Sequence, residues 1–269
     1  MSLILENTGP VAVLEFDHGK ANEMGVAELD ALERWSDELA VSEVRALISF
    51  SKRVSRKGTP IFIAGANVTE RAGWTEEQVA AHVRRQRNVL ARWRRLPLFH
   101  IAVVHGVALG WGTEYLLTAD YQLATPGAQF GLPETGLGIL PGAGGSSELW
   151  SMVGVAQALR LGMTGERIGV DEALRIGLVQ EKVADLDAGM SRARALADRV
   201  VRNSPTAVAA FKRACLGSVG LEAEDRRELE ARAYEHCLQT GEAAVGRENF
   251  DAIRAGEPVP WAPLALFGE

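Results

Sequence analysis

Twice in the first half of the chain, a short apolar run stops at small residues and gives way to helix signals, and a third glycine-rich stretch follows soon after. Residues 60–70 read PIFIAGANVTE, residues 105–114 read HGVALGWGTE, and residues 130–145 read FGLPETGLGILPGAGG. Apolar runs of this length suit buried strands. Asn67 with Glu70, and Thr75 with Gln78, have the spacing of helix-start capping boxes. Strand, tight turn and helix in succession are the pattern of a parallel α/β core.

The rest of the first half agrees. Residues 4–5 and 11–16 read as short strands around the turn Asn7-Thr8-Gly9-Pro10. Residues 26–39 place Leu29, Leu32, Trp35 and Leu39 at helical spacing. Residues 44–50, 60–64, 100–105 and 121–124 are strand-like, and an Arg-rich helix runs from about residue 75 to about residue 95. Residues 51–59, with Lys52, Arg53, Arg56 and Lys57, read as an exposed basic loop. Residues 131–145 are expected as a shaped loop with no regular element. Beyond Ser146 the chain turns helical, and Ser204-Pro205 marks one helix start. The expected division is a core over residues 1–190 and a helical region over residues 191–269.

Several function classes fall away. A formal charge of −6 gives no ground for a nucleic-acid partner held by phosphate neutralisation. Cys215 and Cys237 have no metal-ligand or redox spacing, and the five histidines show no zinc spacing. No metal is expected. The uncharged stretch 96–113 is broken by Pro97, His100, His105 and glycines, so no membrane span is expected either. The beginning of the sequence lacks export-signal features, and a cytoplasmic location is the expectation.

The chemistry gathers in the three glycine-rich segments. Backbone N–H groups left free where a strand turns into a helix suit a polarised carbonyl oxygen. Glu114 sits in the first turn of a helix, where a carboxylate also serves simply to complement the dipole. Glu134 stands among apolar and glycine residues, surroundings that raise a carboxyl pKa and suit a proton donor; an exposed loop glutamate is the plainer alternative. Neither GxGxxG nor GxSxG is matched.

Taken together and in order, the segments resemble the crotonase (enoyl-CoA hydratase/isomerase) superfamily. The resemblance rests on Ala64-Gly65-Ala66-Asn67, on Leu109-Gly110-Trp111-Gly112-Thr113-Glu114, and on Pro133-Glu134 with Pro141-Gly142-Ala143-Gly144-Gly145. It continues through residues 161–168 and 173–179 and covers almost the whole chain. It implies an α/β fold with a spiral core of repeated ββα units and a helical C-terminal region for oligomerisation, as a homotrimer or hexamer. It also implies an acyl-CoA lyase of fatty acid metabolism that reversibly hydrates a 2-enoyl-CoA, with no cofactor beyond the coenzyme A of the substrate. An enoyl-CoA isomerase or decarboxylase, or a non-catalytic acyl-CoA-binding protein, are the alternatives within the resemblance.

Residue by residue, the resemblance assigns the oxyanion-hole N–H groups to Ala66 and Trp111 and the acid–base carboxylates to Glu114 and Glu134. It assigns substrate or CoA contacts to Lys20, Ala21, Asn22, Ala64, Gly65, Gly110 and Arg254. Trp111 and Asn67 stand where the family usually has Gly and Asp, and the basic loop is longer than usual. The Trp111 side chain is expected to reshape the acyl pocket, and Asn67 to cap a helix. The basic loop fits either a place over the CoA phosphates or a solvated surface.

Overall fold

A computed structural model describes residues 3–266. An antiparallel hairpin of β1 (Ile4–Thr8) and β2 (Val11–Glu15) leads into α1 (Val26–Ala40). Then the chain repeats one unit. β3 (Ala46–Phe50) and β4 (Ile61–Ile63) precede α2 (Glu76–Arg94); β5 (Phe99–Val104) and β6 (Val107–Leu109) precede α3 (Trp111–Leu116). β7 (Tyr121–Ala124) and β8 (Gln129–Gly131) precede a 3-10 turn over Pro133–Leu137. The first strand of each unit joins one sheet and the second joins another. β3, β5 and β7 lie parallel in a six-stranded sheet; β4, β6 and β8 lie parallel in a four-stranded one. This is a spiral of ββα units.

The central strands β3 and β5 are mostly hydrophobic because both faces are covered. Along β3, Leu47 joins one core cluster while Ala46, Ile48 and Phe50 join another; along β5, Ala102 and Val104 oppose Ile101 and Val103. That is the two-residue period of a pleated strand with no solvent face. On the side of Leu47, Ser49 Oγ hydrogen-bonds His100 Nε2 at 2.7 Å and the Tyr115 hydroxyl at 2.8 Å, all fully buried. Burial lowers the His100 pKa to about 3, so the knot is neutral. It ties α3 to the large sheet one residue beyond Glu114.

The later chain contains α4 (Leu149–Val153), α5 (Val155–Thr164), α6 (Val170–Ile176), α7 (Leu186–Val201), α8 (Pro205–Gly217), α9 (Ala223–Gln239), α10 (Glu242–Glu248) and α11 (Phe250–Ala255). Two strands interrupt these helices. β9 (Ile168–Gly169) pairs with β8 and β10 (Glu181–Lys182) with β7. At two residues each they are too short to show a period in the sequence. The expected division at residue 190 falls inside α7, whose Ala193 and Ala197 are buried against the large sheet. Ser204 does cap α8, accepting from the Ala207 N–H at 3.0 Å.

Two local expectations are corrected. Asn67 caps nothing: only a four-residue 3-10 turn, Val68–Arg71, follows it, and its Oδ1 instead accepts from the Thr69 hydroxyl at 2.6 Å. Glu70 turns away to the start of α1, where it accepts from the Val26 N–H at 3.3 Å. Residues 131–145 are not wholly irregular, since Pro133 opens the 3-10 turn and Gly138, left-handed at φ 76°, closes it.

Candidate active site

The site begins where two neighbouring strands of the small sheet end. β4 and β6 are parallel neighbours, Ile61 beside Val107 and, across a bulge that shifts the register, Ile63 beside Ala108, so their following turns emerge side by side. Each turn passes through a left-handed glycine, Gly65 at φ 136° and Gly110 at φ 52°. Such angles are natural for glycine and strained for other residues. The next residue in each case, Ala66 or Trp111, carries an N–H that bonds no protein acceptor among the described residues. Trp111 opens α3, so its N–H is one of the donors that a helix start leaves free. Gly112 permits the close approach of α3 to β4, for a Cβ there would lie 2.2 Å from the Ile63 carbonyl oxygen.

The Trp111 side chain goes elsewhere than expected. It is buried in the core and stacks on Tyr115, with ring centroids 5.8 Å apart and planes 23° apart. It does not line the adjoining cavity. Only its backbone is presented to the turn.

Glu114 is one turn into α3 and 3% exposed. Its Oε1 accepts the Ala143 N–H at 2.7 Å and the Gly145 N–H at 2.9 Å, so the Pro141–Gly145 stretch is the clamp that fixes this carboxylate. Arg87 holds the clamp in turn, donating Nε–H to the Gly142 carbonyl at 2.8 Å. Burial pushes the Glu114 pKa up to about 7 against the pull of the two amides, and the charge of nearby Glu134 adds to the rise. Glu134 is half-buried on the 3-10 turn after β8, the third strand of the same sheet row, and burial raises its pKa too. A Cβ on Gly110 would come within 2.5 Å of Glu134 Oε1. Glu134 therefore reaches the turn that presents the Trp111 N–H, and Glu114 lies near enough to feel its charge.

The Glu114 shift has a thermodynamic consequence. The folded protein holds this proton more tightly than the unfolded chain, so the contribution to stability is full below about pH 4.5 and is lost as pH rises through about 7. Urea midpoints of the wild type and Glu114→Gln should diverge between about pH 5 and about pH 8, with the variant gaining on the wild type. Parallel pH dependence in the two proteins would contradict the shift.

The remaining predicted residues divide. Ala64 donates its N–H to the Ala21 carbonyl at 3.1 Å, which brings the 20–22 loop against the end of β4. The Asn22 side chain is wholly internal: its amide donates to the Phe16 and Phe62 carbonyls and to Ser51 Oγ, and its Oδ1 accepts the His18 N–H. It shapes the loop and has no surface to offer a ligand. Lys20 is exposed beside it. Arg254 is exposed on α11 and does not line the cavity at Glu114. That cavity, of about 720 Å³ between α2, the clamp and α8, has no motif in the sequence and was not foreseen; its signal is the arginine spacing of α2.

A family model described as enoyl-CoA hydratase/isomerase matches residues 55–255. The chain belongs to this family. It is 35% identical over 246 residues to a short-chain-enoyl-CoA hydratase of Clostridium acetobutylicum, covering 89% of this chain and 90% of that one. The crystal structure of an enoyl-CoA hydratase from Bacillus anthracis matches with a TM-score of 0.87 at 30% identity, over 97% of this chain and 99% of the other. A Bos taurus relative, enoyl-CoA hydratase domain-containing protein 2, mitochondrial, is 35% identical over 77% of this chain and 70% of its own. The cytoplasm is thus not the compartment of every relative. No helix among the described residues is long and apolar enough to cross a membrane. These hydratases and isomerases are members of the crotonase superfamily, and the ββα spiral described above is its fold.

Proposed function

We propose that this enzyme reversibly hydrates a 2-enoyl-CoA. One observation carries the reading: a buried and a half-buried carboxyl group, both with raised pKa values, lie within electrostatic reach of each other at a turn whose free N–H stands beside a second free N–H. Ala66 and Trp111 N–H groups would hold the thioester oxygen and stabilise the enolate-like charge that develops on it. Glu114, ionised, would take a proton from the water attacking the β-carbon, and Glu134, protonated, would deliver one to the α-carbon. Dehydration reverses the roles. A double-bond shift needs only one such acid, and the retention of two favours water addition. The Trp111 ring, expected to reshape the acyl pocket, lies in the core. The test is loss of thioester-conjugated enone absorbance when purified enzyme meets a panel of 2-enoyl-CoA esters. No loss with any ester, together with turnover of a 3-enoyl-CoA, would overturn the assignment.

The CoA moiety is placed along the 20–22 loop and the basic loop after β3. Ser51 is bonded by Asn22, and Arg53 is paired with Asp17 at 2.8 Å, so the two loops form one structure. Arg56 and Lys57 are exposed at the tip of the basic loop, where mobile phosphates would meet them. Replacing both with Ala should raise the Kd of a CoA thioester by about two- to fivefold per charge, with the difference fading as salt is added. Exposed Phe211, Tyr234, Leu238, Phe250 and Ile253 on the C-terminal helices supply apolar surface for a subunit contact.

A further inference from the structure

The cavity that opens from Glu114 lies within the usual range for a small-molecule site. Apolar groups such as Leu90, Leu117 and Leu216 line it, as an acyl chain requires. Its charged lining is one-sided. Arg87, Arg94, Arg95, Lys212 and Arg213 face it, against the carboxyls of Glu114 and Glu148. Asp120 bonds Lys212 at 2.7 Å, and with it counted Arg87, Arg94, Arg95 and Lys212 alone still outnumber the carboxylates. A hydrocarbon tail gains nothing from such a wall and would desolvate it at a cost.

Helix α2 sorts its arginines by face. Arg85 and Arg92, seven residues apart, are taken up by α1: Arg85 meets Asp30 at 2.6 Å, and Arg92 meets Glu33 at 2.6 Å and Asp37 at 3.0 Å. Arg87, Leu90, Ala91 and Arg94 follow the i, i+3, i+4, i+7 spacing of one helical stripe, and all four line the cavity. Arg87 is bonded to the neutral Gly142 carbonyl, with no carboxylate at ion-pair distance among the described residues. Arg94 is only 17% exposed and meets Glu148 at 2.7 Å. From α8, Lys212 lies near enough to Arg94 for the two charges to repel.

We propose that the acyl group taken by this cavity ends in a carboxylate, so that the substrate is a CoA monothioester of an unsaturated dicarboxylic acid. The distal carboxylate is received by the Arg87–Arg94 stripe of α2, with Lys212 of α8 across from it, while the apolar groups hold the chain between the ends. The choice of reaction rests on the hydratase reading, but this recognition requires binding alone.

The experiment is calorimetric titration with two saturated, unreactive acyl-CoA esters of equal chain length, one ending in methyl and one in carboxylate. Both carry the same CoA, so their ratio isolates the acyl end. The carboxylate form should bind about tenfold tighter, the scale of a charge-assisted hydrogen bond. Arg94→Gln should bring the ratio close to one. Glu148→Gln, which removes the competing anion, should move it the other way, an effect that mere loosening of the fold does not produce. Equal or weaker binding of the carboxylate form by the wild type, or a falling ratio in Glu148→Gln, would overturn the proposal. A preference for carboxylate without hydration of any enoyl ester would leave it standing and remove the hydratase reading instead.

Discussion

In Glu134→Gln, hydration of a 2-enoyl-CoA is expected to fall by about 10²–10⁴-fold in kcat, the range of a positioned acid or base, while the thioester still binds. Gln keeps the shape and loses the proton, and no other carboxyl meets Gly110 among the described residues. Glu114→Gln should fall by a similar factor for the opposite reason, since water then has no base beside it. The wild-type kcat/KM should rise with pH through about 7 as Glu114 ionises, and that limb should be missing from the residual activity of Glu114→Gln. Steady-state kinetics on the three proteins over a pH series decide the matter. If Glu114→Gln retains most turnover while Glu134→Gln loses it, the enzyme moves a double bond and does not add water.

Gly112→Ala is expected to damage fold and chemistry together. The added Cβ would lie 2.2 Å from the Ile63 carbonyl oxygen; the backbone fixes the position of the methyl and the oxygen is itself backbone, so neither can rotate away. Overpacking of this kind costs about 1–3 kcal/mol, read as a lowered urea midpoint. Relief requires α3 to withdraw from β4, and the Trp111 N–H withdraws with it. Loss of one such donor lowers kcat by about 10²–10³-fold. A variant with wild-type kcat would show that α3 need not sit against β4 for turnover. Gly110→Ala makes a useful contrast: its Cβ meets the movable end of Glu134, 2.5 Å away, so activity should suffer more than packing, apart from about 1–2 kcal/mol for a left-handed alanine.

The glycine turns and the two carboxyls were legible in the sequence because their chemistry is local. A strand that must turn sharply and free an amide needs glycine there, and Gly65 and Gly110 show it. The division into two sheets was not legible. β3 and β4, or β5 and β6, are equally apolar, and nothing in their composition tells which sheet each will join. Glu70 was misread because the capping-box pattern sees three residues ahead, while its real partner, the Val26 N–H, is 44 positions away. Trp111 was misread for a related reason: a side chain at a helix start has two directions open to it, and only the presence of Tyr115 stacked beneath settles which. The arginines of α2 were visible as a group, but their sorting into two faces depends on where α1 and the cavity lie.

The small sheet also fixes a length. Its three adjacent strands each deliver one working part at the same end: an amide after β4, an amide after β6, and, after β8, a carboxyl at the place where Pro133 offers no N–H. Neighbouring strands stand about 4.8 Å apart, a spacing set by backbone hydrogen bonds and indifferent to side chains. The sheet therefore works as a ruler whose graduations mutation cannot easily shift, and under the proposed function it gauges only the thioester end of whatever enters. Descendants of such a scaffold can exchange the far wall for a new acyl group and leave the measuring edge untouched.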